Sequence, residues 1–124
     1  MSHAFLLQNW ITLQGVASDV TLQSESDWLD LSEYTDVVFY TTIKSYVGTL
    51  LQLSYDTSPS ADSDCFANMT RVIPLVAATA PVVTPILSGS SISLARWVRW
   101  RLDTSSTAWS VTMRIWVTAK PAGG

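Results

Sequence analysis

From Arg96 to Leu102 and again from Val111 to Val117 the side chains alternate, with Val98, Trp100 and Leu102 on one side of the first segment and Val111, Met113 and Ile115 on one side of the second. Alternation with period two marks strands buried on one face. The intervening Asp103 to Ala108 is rich in Asp, Ser and Thr, which favour a turn over a continued strand. The two segments therefore read as a long β-hairpin in which Trp100 lies near Val111 and Val98 near Met113. A slip of one residue turns a whole apolar set toward water, so burial selects the register. The opposite face then carries Trp97, Arg99 and Arg101 beside Thr112, Arg114 and Trp116.

The rest of the chain follows the same period. Phe5 to Val16 alternates imperfectly, which predicts a bend or a bulge. Val20 to Gln23 is a short strand, and a polar turn leads to Trp28, Leu29 and Leu31, which are expected to tuck under the sheet while Asp30 stays wet. Asp36 to Tyr46 is a strong strand with Val37, Phe39, Thr41 and Ile43 on one side. Val47 and Gly48 turn the chain, and Thr49 to Thr57 returns with Leu51, Leu53 and Tyr55 on one side, which predicts a second hairpin. Ser58 to Asp64 is loop-like, and Phe66 and Met69 anchor its return. Pro74, Pro81 and Pro85 punctuate the apolar segments that follow. Proline cannot donate to a ladder, so these segments belong at sheet edges or form an arm on a neighbouring subunit, with Val76, Val82, Val83, Ile86 and Leu87 as the arm residues.

About eight short strands at roughly 8 to 12 residue spacing give an all-β fold, an antiparallel β-sandwich of jelly-roll-like form. It is one domain over residues 1–119, followed by a C-terminal tail at 120–124. No helical spacing is sustained.

Composition bears on the surface of that domain. Only 14% of the residues are charged, against a usual share of about 25%, so part of the surface is expected to be hidden against other subunits. Residues 1–64 hold nine acids and one base, Lys44, whereas residues 65–124 hold six bases and one acid, Asp103. The complementary halves can meet within one subunit or between neighbours.

Few residues suit catalysis. His3 is the sole histidine and lies in a terminus expected to be mobile, so no Ser-His-Asp or Cys-His arrangement assembles. Cys65, the sole cysteine, excludes an intrachain disulfide and reads as a small buried or half-buried side chain with nothing to activate it. The chain is therefore expected to be no enzyme and to need no cofactor. Asp56, Asp62 and Asp64, with nearby serine hydroxyls, are weak candidates for Ca²⁺, but they lack EF-hand spacing and a neighbouring Glu, so the expectation is a solvated loop without a metal. The first residues lack the basic start and apolar run of a signal peptide, which predicts synthesis in the cytoplasm. Prolines in the uncharged stretch Val72 to Ala95 argue against a membrane-spanning helix.

That leaves the outward face of the closing segments. Trp97, Arg99, Arg101, Arg114 and Trp116 together suit a protein interface, where Trp and Arg dominate binding energy, or the stacking of a sugar. The negative net charge makes nucleic acid a poor partner. The plain structural alternative is an internal cation–π stack.

The stretches Trp28 to Tyr40 and Leu53 to Pro59 and the closing Arg96 to Leu102 resemble small all-β virion proteins of tailed phages and prophages, of the kind that decorate or cement a capsid. The resemblance implies a structural protein of the virion, made in the host cytoplasm, which self-associates, with a trimer favoured, and docks on a larger shell such as a major capsid protein. It carries over no individual functional residue. A carbohydrate-binding β-sandwich is the alternative; it requires Trp97, Trp109 and Trp116 to lie exposed along one groove.

Overall fold

The alternating segments are strands in the computed structural model, which describes residues 3–48, 51–69, 73–74, 82–86, 94–104 and 108–121. In order they are β1 (His3–Gly15), β2 (Asp19–Leu22), β3 (Leu29–Asp30), β4 (Tyr34–Val47), β5 (Leu51–Ser58), β6 (Ala67–Asn68), β7 (Ile73–Pro74), β8 (Val82–Ile86), β9 (Trp97–Thr104) and β10 (Trp109–Pro121). Single 3-10 turns occupy Glu25–Asp27 and Ser63–Cys65. One sheet has the order β1-β10-β4-β8 and the other β2-β9-β5-β6, with β3 also on β9 and β7 also on β5. Every pairing is antiparallel. The chain thus passes back and forth between two sheets in the order of a jelly roll, the antiparallel β-sandwich that the periodicity predicts.

The inward sets are those the alternation selects. Val37, Phe39, Thr41 and Ile43 of β4, Val98, Trp100 and Leu102 of β9, and Val111, Met113, Ile115 and Val117 of β10 are all buried. Each apolar side chain of this kind contributes about 1.5–3 kcal/mol relative to exposure. Across the core, the Phe39 ring from one sheet stacks on Tyr55 from the other, with centroids 3.9 Å apart. The Thr41 and Tyr55 hydroxyls join in a hydrogen bond between the sheets.

Both predicted hairpins are overturned. In β9, Trp100 stands opposite Tyr55 on β5, whereas in β10, Val111 stands opposite Leu13 and Tyr46. The two strands lie in different sheets and their apolar faces meet through the core, so neither Trp100 with Val111 nor Val98 with Met113 is a ladder pair. In the same way, β4 and β5 belong to opposite sheets. Gly48, immediately after β4, has a φ of 130°, which favours glycine where the chain leaves its sheet.

The irregularity expected in β1 is present as two register shifts against β10, one between Leu6 and Gln8 and one between Gln8 and Ile11. These re-aim the side chains, as bulges do. Leu7 and Ile11 pack on the core, Gln8 Oε1 accepts a 3.0 Å hydrogen bond from the Trp100 indole, and Trp10 is exposed. β10 continues through Pro121, two residues into the segment read as a tail. His3 lies in β1 opposite Ala119, with its ring edge-on to Tyr34, and is not in a loose end.

Candidate functional site

The five Arg/Trp candidates do not form one face. Trp97, Arg99 and Arg101 point outward from the β2-β9-β5 sheet, while Arg114 and Trp116 point outward from the β1-β10-β4-β8 sheet on the other side of the sandwich. The hairpin that was to unite them is absent, so the expected cluster divides in two.

On the first side the bases are satisfied within the chain. Arg99 is buried although it lies on the outer side of β9. Its Nε is 3.4 Å from Asp56 Oδ2, its Nη1 donates to Ser63 Oγ at 3.1 Å, and its guanidinium lies 4.0 Å from the Phe66 centroid and 5.5 Å from that of Trp28. Trp28 and Phe66 meet edge to face, and Asn68 donates to the other oxygen of Asp56. The loop at 59–66 is thereby clamped over the sheet. Burial pushes the Asp56 carboxyl above its ordinary value, outweighing the opposing pull of Arg99.

At the surface, Arg96 reaches Asp30 at 3.0 Å, and its hydrogen bond holds that carboxyl below its usual range. Arg96 also lies 5.4 Å from the half-buried Trp97 ring. Arg101 pairs with Asp103 on its own strand. Of the three ion pairs that Arg96, Arg99 and Arg101 make among the described residues, two thus join the acidic half of the chain to its basic half inside one subunit.

The remaining candidates scatter. Asp56 is committed to Arg99, and the Asp62 carboxylate caps the backbone N–H of Asp64. Among the described residues no three His, Cys, Asp or Glu side chains gather as a metal site requires. Cys65 is exposed, contrary to expectation, because it ends a 3-10 turn in the loop above the sheet. Val82, Val83 and Ile86 lie in β8, an edge strand paired to β4, and do not form an arm; Val76 and Leu87 lie outside the described residues. Pro85 sits on this edge as its missing N–H requires. Trp109 is buried, its indole N–H donating to Ala17 O, so Trp97, Trp109 and Trp116 line no common groove.

The second side is different. Across the four strands of its sheet, Leu6 faces Trp116, Trp116 faces Tyr40, and Tyr40 faces Val83. Leu6, Trp116 and Val83 are exposed and Tyr40 is half-buried. Next to this row Trp10 is also exposed, with Lys44 Nζ 5.9 Å and the Arg114 guanidinium 4.7 Å from its ring centroid. Sequence reasoning found Arg114, Trp116 and Val83 but missed Leu6, Trp10, Tyr40 and Lys44, since only the strand order puts them side by side. Contiguous exposed apolar surface of this kind marks interaction sites.

No protein-family model matches the chain, and no curated protein matches it. All of the chain superposes on part of a chain from the structure of infectious bursal disease virus, Gx strain, with a TM-score of 0.61 and 10% identity; it spans 34% of that longer chain. At this identity the likeness is one of fold. Among the described residues no helix is long and apolar enough to cross a membrane.

Proposed function

We propose that this chain is a structural, non-enzymatic virion protein that self-associates and docks on a larger protein shell, in the manner of a capsid decoration or cement protein. The observation that carries the reading is the row Leu6, Trp116, Tyr40 and Val83, which crosses every strand of one sheet and leaves Leu6, Trp116 and Val83 exposed, whereas the loop over the other sheet covers Arg99. Strands about 4.8 Å apart with a rise of about 3.3 Å per residue give that face an area of roughly 700 Å². Standard interfaces use about 600–1,000 Å² per partner, so the face falls within that range. The fold likeness to a chain from a virus structure and the low content of charge support the same reading.

Light scattering across a concentration and salt series tests it. A trimer or other closed oligomer is expected, and Trp116→Lys should weaken it while the separated chain keeps its β-rich circular dichroism; its denaturation midpoint should fall toward that of the dissociated parent. A monomer under every condition overturns self-association.

A further inference from the structure

The uncovered face carries an unbalanced charge as well as apolar surface. Lys44 and Arg114 approach the same Trp10 ring, and among the described residues neither belongs to an ion pair. Arg114 Nε is buried without a hydrogen-bond partner among them. Two cations beside exposed apolar side chains fit a surface that presents carboxylates next to apolar groups of its own.

Such a surface exists on the same molecule. On β2, an edge strand of the other sheet, Val20 and Leu22 are exposed, and Asp19, Glu25 and Asp27 around them are exposed too. The nearest bases of β9 do not cancel these acids, because Arg101, opposite Leu22, is already paired with Asp103. A symmetric face-to-face dimer with its axis at these side chains would instead set the Lys44 and Arg114 pair of one copy against that of the other, which is repulsive.

We propose that the Trp10, Lys44 and Arg114 face of one copy docks the acidic β2 edge of a second copy, around Glu25 and Asp27, in a head-to-tail contact. A contact of this type closes into a ring when its rotation divides the circle. The proposal rests on the reading of the chain as a self-associating subunit and specifies how it does so.

The test is a charge swap. One variant carries Lys44→Glu and Arg114→Glu, the other Glu25→Lys and Asp27→Lys, and sedimentation velocity at low salt follows each alone and both mixed. Each variant alone should associate about tenfold or more weakly than the parent, because like charges then meet at every contact. The equimolar mixture should regain association that neither variant shows alone, since swapped faces meet swapped edges and parental faces meet parental edges; a ring with an odd number of subunits keeps one mismatched contact, so the repair is read as mixed species heavier than the monomer and not as the parental mass. An oligomer that neither variant weakens, or a loss that mixing does not repair, overturns this contact and leaves self-association standing. A parental chain that is monomeric overturns both. Should a reversal variant fail to fold, the neutral pair Lys44→Gln and Arg114→Gln serves instead: it should weaken association and flatten its salt dependence, and an unchanged salt slope overturns the contact.

Discussion

The guanidinium of Arg99 lies 4.0 Å from the centre of the Phe66 ring, so a strand residue on the nominal outside of the sheet is roofed by a loop residue 33 positions earlier. The same guanidinium neutralises the buried Asp56. Removing one partner of a buried pair leaves the other charge uncompensated, at a cost of about 3–5 kcal/mol. Arg99→Ala is expected to lose that much stability in urea denaturation and to expose the loop at 59–66 to protease. Arg99→Met combined with Asp56→Leu should recover most of the loss, because two apolar side chains strand no charge. A loss below about 1 kcal/mol in the single variant would mean that water reaches the pair.

Asp56 also gives a pH signature. Its carboxyl titrates above the ordinary 3.8 because burial disfavours the ion more than Arg99 favours it. The native state therefore binds more protons than the unfolded chain between 3.8 and the raised value, and stability falls as pH rises through that window. The contribution is fully present below the unfolded value and lost above the folded one. Relative to Asp56→Asn, which cannot titrate there, the parent should lose stability with rising pH in the acidic range and then level off. Denaturation of both proteins from pH 3 upward measures the difference; a gain by the parent over the same range would make the pull of Arg99 dominant.

These effects were hidden in the sequence for a physical reason. Period two reports which side of a strand is buried, and that reading succeeded for Val37 to Ile43, for Val98 to Leu102 and for Val111 to Val117. It does not report which strand lies alongside. Val98 and Met113 share the core whether their strands pair in one sheet or face each other across two, and the polar turn between them suits both. The pairing of Asp56 with Arg99 spans 43 residues and has no local signature. In β1 two shifts of register break the alternation, so the outward aim of Trp10 follows only from the fold.

Gly15 shows how closely one end of the sandwich is packed. A Cβ added there would lie 2.7 Å from three atoms of the Trp109 indole. That ring is buried, and its N–H is tied to Ala17 O at 3.0 Å, so it cannot swing aside as a flexible chain end would. Gly15→Ala is expected to destabilise by about 1–3 kcal/mol through overpacking. The fluorescence of Trp109 should shift toward that of a wetter indole. Trp109→Leu in the same background should lower the penalty of the alanine, and equal penalties in both backgrounds would place the strain elsewhere.

Gln23 connects the sheets at the edge assigned to self-association. Its side-chain amide donates to Leu7 O at 2.6 Å and to Asp27 O at 3.1 Å, while its Oε1 accepts from the Trp100 backbone N–H at 3.3 Å. It is buried, as are its bonds to Leu7 O and from the Trp100 N–H, so those two groups have little access to water if it is lost. Leaving even one such group unsatisfied costs about 1–3 kcal/mol. Gln23→Leu, which retains much of the volume but none of the polar atoms, should therefore destabilise by at least that amount. Gln23→Glu should also be costly, since a carboxylate cannot donate to Leu7 O or Asp27 O. Because Asp27 is one of the acids on the proposed contact, the variant should also free the Glu25–Asp27 turn from β1. Hydrogen exchange at the Trp100 amide reads the local effect and sedimentation the assembly. Faster exchange with unchanged assembly would confine Gln23 to holding the sheets together, whereas loss of both would make the orientation of this turn part of the docking surface.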